Sequence, residues 1–233
     1  MRRLASRLPA LAALAALAGC FNPFSPRILN QRVTTVAPAP TSPENAILRF
    51  EWCWVNRGVE EYKELFTDDY VFISAGTDSA GNPSREIQAR RDDEVQIAEN
   101  MFIGSADRPP ADNITLLFDR NLVPFPDPRP GKDKGWHTQI RTSVDLKVRI
   151  DSNNSVEVTG NALFFLTRGD SAAIPQTLKD RGFKPDPQRW WIDRWEDETL
   201  GQGNAPALRA APHAGVNVPL IMSMGEFKRL YRR

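Results

Sequence analysis

Few residues in this 233-residue chain are typed and spaced for chemistry. They are Cys20 and Cys53, His137 and His213, the adjacent acids Asp68-Asp69, and the closing run Trp190-Trp191-Ile192-Asp193-Arg194-Trp195-Glu196-Asp197. His137 follows a proline-rich stretch and His213 stands beside Pro212, so the two have no metal-ligand spacing, and no Ser/His/Asp set stands out. No metal, cofactor or catalytic residue is assigned on these grounds. Asp68-Asp69, at a helix-to-strand junction, reads as acids capping nearby backbone donors. A formal net charge of +1 supplies no cation cluster for a phosphate backbone, so nucleic acid is not an expected partner.

Cys20 has the most specific context. Arg2, Arg3 and Arg7 precede an uncharged, Leu/Ala-rich run from Leu8 to Gly19, which is twelve residues long. A membrane-crossing helix needs about 20 apolar residues, so this is the profile of a secretory signal with a basic start and a short apolar core. Arg2-Arg3 lacks the rest of a twin-arginine motif. Leu17-Ala18-Gly19-Cys20 resembles the lipobox of bacterial lipoproteins, in which small residues precede a cysteine that is acylated before cleavage. The resemblance implies that residues 1–19 are removed and that Cys20 carries lipid, anchoring a periplasm-facing protein to the cell membrane. Phe21, where an aspartate would signal inner-membrane retention, implies the outer membrane in a two-membraned organism. The mature chain would have 214 residues, a net charge of −2 and one remaining thiol, Cys53, so no internal disulfide.

The elements around these residues follow from pattern. Residues 20–41, with Pro23, Pro26, Pro38 and Pro40, read as an extended tether. The domain is expected over 42–200. Ser42-Pro43-Glu44 supplies an N-cap, a preset first turn and an early acid, and Ile47, Phe50 and Trp54 share a helix face. Asn56-Arg57-Gly58 ends that helix, with Gly58 the expected left-handed residue. A short helix with Val59, Tyr62, Leu65 and Phe66 on one face precedes a Thr67-Asp68-Asp69 turn and a strand from Tyr70 to Ser74. After a polar loop, Ser84 is expected to cap a third helix to about Phe102, with Ile87, Val95, Ala98 and Phe102 inward. Arg90, Arg91, Asp92, Asp93 and Glu94 fall on its solvated face in this reading. Strands then follow at Ile114–Phe118, through the alternating Val144, Leu146, Val148 and Ile150, over Val156–Thr167 with a bend at Gly160, and through Arg189–Asp197. Residues 201–233 form a tail, with a short helix from about Ser223 on which Met224, Phe227 and Tyr231 dock.

This order implies an α+β domain, three N-terminal helices packed in a strongly curved antiparallel sheet. The helix, the Asn-Arg-Gly break, the short helix and Leu65-Phe66-Thr67-Asp68-Asp69-Tyr70-Val71-Phe72 resemble the opening of the NTF2-like superfamily. That cone-shaped fold includes ketosteroid isomerases and polyketide cyclases, and Trp190-Trp191-Ile192-Asp193-Arg194-Trp195 is similar to its last strand. The resemblance covers Ser42 to Leu200. It implies that the isomerase base falls at Ser74 and the first-helix tyrosine at Phe50. A serine without an activating partner cannot take a proton beside a carbonyl, and Phe50 has none to donate, so isomerase chemistry is not expected.

Candidate residues lining the cone are Trp54, Tyr62, Phe164, Trp191, Asp193 and Trp195. Alternation puts Trp191, Asp193, Trp195 and Asp197 on one face and Trp190, Ile192, Arg194 and Glu196 on the other, with either face able to turn inward. Such a wall suits a small apolar ligand, and it suits an ordinary aromatic core equally. The expected function is a membrane-tethered envelope lipoprotein with a non-catalytic ligand-binding or protein-interaction domain. Its partner would be an envelope protein or a small apolar ligand, with a homodimer through the sheet a further possibility. The alternative is a small-molecule enzyme of the isomerase, cyclase or dehydratase kind using the cone. A hollow interior favours ligand or catalysis; one plugged by Trp54, Trp190 or Trp191 and Phe164 favours interaction.

Cys20→Ala is expected to abolish fatty-acid incorporation and membrane retention, since stable anchoring takes more than one acyl chain and this residue is the one placed to carry them. Metabolic labelling with a radiolabelled fatty acid checks this, and equal label in both proteins would contradict it.

Overall fold

The computed structural model describes residues 36–77, 83–169, 174–199 and 219–232, with the backbone alone at 75–77 and 83–87. Helix α1, Pro43–Asn56, starts where Ser42 Oγ accepts the Asn45 amide at 3.1 Å, and it buries Ala46, Ile47, Phe50, Cys53 and Trp54. Its left-handed terminal residue is Arg57 (φ 57°, ψ 38°), not Gly58, whose φ is −79°. The Arg57 guanidinium donates to the carbonyls of Ala111 at 2.5 Å, Asp112 at 3.0 Å and Phe102 at 3.4 Å, which holds a conformation costly for a side-chain-bearing residue. Gly58 is needed for space instead, because a Cβ there would lie 2.6 Å from the Trp52 ring.

Helix α2, Val59–Lys63, leads into β1, Phe66–Thr77. Thr67-Asp68-Asp69 lies inside this strand rather than in a turn, with both aspartates exposed where its pairing register slips between Phe66 and Val71. Residues 83–90, expected to be helical, form β2, Pro83–Arg90, whose backbone pairs antiparallel with β1 from Val71↔Arg90 to Thr77↔Pro83. Pairing with the edge of β1 overrides local helix preference there. Helix α3 therefore begins at Arg91 and runs to Phe102, with the Asp93 carboxylate accepting the Arg90 amide at 3.2 Å. Its inward stripe is Glu94, Ile97, Ala98, Met101 and Phe102, while Val95 is half-buried. Arg91 and Glu94 are thus buried and not on a solvated face.

The remaining strands are β3 Asn113–Phe118, β4 Phe125–Pro126, β5 His137–Arg149, β6 Ser155–Arg168, β7 Trp190–Thr199 and β8 Leu220–Ile221. Helix α4, Gln176–Asp180, precedes β7, and α5, Met224–Tyr231, follows β8. The sheet order is β2-β1-β7-β6-β5-β3, with β4 on β5 and β8 on β6. β1 runs parallel to β7 and β8 parallel to β6, so the sheet is mixed and open rather than antiparallel throughout. The first and last long strands, β1 and β7, are neighbours in it, and the fold is α+β. β5 alternates as its sequence does, and Gly160 takes φ 142° in β6 while its pairing with β5 continues without a register shift. One core cluster takes side chains from α1, α2, α3, α5 and the inner face of the sheet; a second joins Ile174, Leu178 and Trp191. The folded body therefore extends past Leu200 to α5, which Ser223 and Glu226 close with a capping box.

Cys53 is fully buried in α1, and burial pushes its thiol pKa up, away from reactivity. Cys53→Ala is expected to cost about 1 kcal/mol, the transfer and cavity cost of a small core group. Native thiol labelling should be far slower than in urea-unfolded protein; equal rates would show an accessible thiol.

Candidate functional site

Charged and hydroxyl groups converge inside the core where α3, α5, β1 and β7 meet. Glu94 on α3 is fully buried, and its Oε1 accepts the Tyr62 hydroxyl at 2.6 Å. Lys228 on α5, 2% exposed, donates to the same Oε1 at 2.6 Å and to Oε2 as well. The Lys228 ammonium also lies 3.8 Å from the Phe72 ring centroid and 3.9 Å from that of Trp195, so two aromatic faces and one carboxylate surround it. Burial pulls the Lys228 pKa down to about 8 despite the opposing pull of Glu94. The Tyr62 and Tyr70 phenols are held well above their ordinary pKa, first by burial and then by the Glu94 charge beside them.

Asp197, on β7, forms the second half of the cluster. Its carboxylate accepts the Thr199 amide at 2.9 Å, the Thr199 hydroxyl at 2.5 Å and the Gly225 amide at 3.0 Å. The Thr199 hydroxyl in turn accepts the Met224 amide at 2.7 Å. Two first-turn amides of α5 are thereby satisfied by β7, as orphan helix donors require. Burial raises the Asp197 pKa, against the lowering effect of those bonds and of Lys228. Ser74 faces Gly225 so closely that a Cβ on the glycine would overlap its side chain. The position that the resemblance assigns to a general base is thus packed against the chain's own last helix.

The six candidate lining residues divide. Trp54, Tyr62, Phe164 and Trp195 belong to the main core around Phe50, whose ring centroid lies 5.2–5.8 Å from all four. Trp191 belongs to the second cluster with Ile174, Leu178 and Phe183. Asp193, an acid, lies in neither hydrophobic cluster, and it is a bulge. Ile192 pairs with Leu166 and Arg194 with Phe165, so Asp193 has no partner in β6 and the alternation of β7 changes phase there. Ile192 and Trp195 consequently share the inner face, which two-residue alternation forbids. Asp193 takes Arg129 Nη2 at 2.8 Å and Lys132 Nζ at 3.1 Å. Arg129 also forks onto Asp127 and covers the Phe165 ring at 4.1 Å. Burial works against the Asp127 charge, but Arg129 holds its pKa below the ordinary value.

Phe50 is at the centre of the aromatic packing, and His137 accepts the Asp133 amide at 3.1 Å on the surface. His213 and Cys20 lie outside the described residues. Among the described residues there is no group of three acids, histidines or cysteines able to hold a metal, and no helix long and apolar enough to cross a membrane. A cleft of about 190 Å³ lies outside the core, between Asn100, Ser105, Asp107, Arg108, Leu230 and Tyr231. Glu94 and Lys228 escaped the sequence reading, although Glu94, Ile97, Ala98, Met101 and Met224, Phe227, Lys228, Tyr231 each follow i, i+3, i+4, i+7 spacing. Placing charge outside by default hid them.

No protein-family model and no curated protein sequence matches the chain. Solved structures do match in shape. An NTF2-like superfamily protein from Salmonella enterica is 18% identical, covering 75% of this chain and 94% of that one at a TM-score of 0.41. A conserved protein from Planctomyces limnophilus is 15% identical over 68% and 93%, TM-score 0.41. An epoxide hydrolase from M. tuberculosis is 14% identical over 67% and 83%, TM-score 0.31.

Lys228→Met leaves the Glu94 carboxylate buried without its cation and is expected to cost about 3–5 kcal/mol of stability. Adding Glu94→Gln should restore much of that loss. Urea unfolding of the single and double variants measures both; a single-variant loss under about 1 kcal/mol, the size of a surface pair, would contradict the assignment.

Proposed function

We propose that this chain is a lipid-anchored, periplasm-facing envelope protein whose NTF2-like domain is non-catalytic and acts through its outer surface. The observation that carries this reading is the filled interior. Phe50, Trp54, Phe164 and Trp195 pack ring to ring, and α5 inserts Phe227 and Lys228 beside them. A substrate in that space would have to displace a helix whose ammonium is already matched to Glu94. The anchor rests on the Cys20 context, which the expected tether suits by separating lipid from domain, with Pro38 and Pro40 near its end already held by Arg49 and Trp190. The outer membrane is the expected site in a two-membraned organism, from Phe21.

The buried charges favour one second reading. With α5 displaced, Glu94 and Asp197 would become an acidic, aromatic-walled pocket able to serve a small-molecule enzyme.

The two readings differ in whether apolar probes enter. The native protein, titrated with anilinonaphthalene sulfonate and with a panel of small ring compounds, is expected to show no saturable binding and no rise in melting temperature. One-to-one binding that is lost in Trp195→Ala, with that variant still folded, would overturn the non-catalytic reading in favour of the cavity.

A further inference from the structure

The chain enters the domain at one end of the sheet, and apolar residues are exposed at that same end. The Pro40 carbonyl accepts the Trp190 amide at 2.8 Å, where β7 begins. Trp190 is the register partner of Arg168, at the end of β6. The Arg168 amide donates to the Trp136 carbonyl at 2.8 Å, just before β5 begins. With strands about 4.8 Å apart, Trp136 sits about 10 Å across the sheet from the Trp190 backbone that holds Pro40. The Arg168 guanidinium lies 5.0 Å from the Trp136 ring centroid and 5.9 Å from that of Trp190. Trp136 is nonetheless 40% exposed. Phe125, on β4 against the first turns of β5, is 57% exposed, and Val123 beside it 42%. Lys134 and Lys184 are exposed in the two loops that frame this end, next to the exposed acids Asp133 and Asp186.

We propose that this end of the sheet docks on the leaflet that holds the Cys20 lipid, with Trp136 and Phe125 entering the boundary between headgroups and acyl chains and Lys134 meeting lipid phosphates. The proposal rests on Cys20 acylation. Two features of the molecule select a membrane as the occupant. The entry point at Pro38–Pro40 is pinned to α1 and β7, by Arg49 on the Pro38 carbonyl at 3.2 Å as well as by Trp190, so the chain toward Cys20 leaves the domain from this end. Exposed indole and benzyl groups are also the side chains that favour a bilayer interface. The twenty-one residues from Cys20 to Pro40 reach at most about 70 Å when extended. A tether of that length keeps the local concentration of membrane high, so a weak contact suffices to orient the domain.

The test uses the full mature lipoprotein, purified from the membrane and reconstituted in vesicles of phosphatidylethanolamine and phosphatidylglycerol, with and without brominated acyl chains. Bromine should quench tryptophan fluorescence in the wild type. Most of that quenching should be lost in Trp136→Phe, and Phe125→Ser should reduce it, with the melting temperature of both unchanged. Quenching that is absent, or equal in the wild type and Trp136→Phe, overturns the docking face while leaving the anchor intact. Intact-mass measurement reports separately on the anchor: a Cys20 without acyl chains overturns that reading and the docking with it. Sedimentation of the detergent-solubilised protein as a dimer that Phe125→Ser or Trp136→Phe dissolves would assign the face to a second copy instead, and would also overturn it.

Discussion

Two opposite charges in the middle of an aromatic core cost several kcal/mol each to strip of water, and the pairing of Glu94 with Lys228 offsets that only if every other lone pair and proton is also met. Here they are met. Tyr62 donates to the carboxylate, Phe72 and Trp195 present ring faces to the ammonium, and Asp197 adds a second negative charge nearby. These partners come from α2, β1, β7 and α3, so the pair stays satisfied only while all of them and α5 are in place. Helix α5 is eight residues long, too short to persist alone in water, and it is helical because this core holds it. Its first turn is bound the same way, by Asp197 and Thr199 on β7, with Gly225 the residue small enough to pass Ser74.

The sheet is built around a second constraint, the bulge at Asp193. A regular β7 would place Ile192 and Trp195 on opposite faces. Skipping one residue lets both enter the main core and sends Trp191 to the smaller cluster on the other side. The skipped residue is an acid, and Arg129 and Lys132 meet it from the proline-rich loop before β5, which fixes that loop to the centre of the sheet. One irregularity thus decides which aromatics fill the interior and where a long surface loop is held.

These two constraints leave the domain with its chemistry turned inward and neutralised. The acids that look most reactive by burial, Glu94 and Asp197, are engaged by the chain's own helix, while the acids that look paired in sequence, Asp68 and Asp69, are exposed on β1. On the outside, the exposed aromatics and the point of chain entry lie at the same end of the sheet.

Sequence alone was sufficient wherever the determining interaction is local. Ser42-Pro43 starts α1 and alternation marks β5, because capping and pleat depend on neighbours in the chain. The expected signal profile ending at Cys20 is likewise a local pattern of charge and apolar length, and it lies outside the described residues. Tertiary structure alone decided the rest. Residues 83–90 became a strand because β1 offered an edge, and Arg57 took the left-handed turn because carbonyls at Phe102, Ala111 and Asp112 were there to bind it. Alternation could not reveal the phase change at Asp193, because a bulge is set by what both neighbouring strands require. Helical spacing could have placed Glu94 and Lys228 on buried stripes, yet a single burial decision for each looks unfavourable. Only their meeting, across more than a hundred residues of chain, makes the interior a place where either charge can reside.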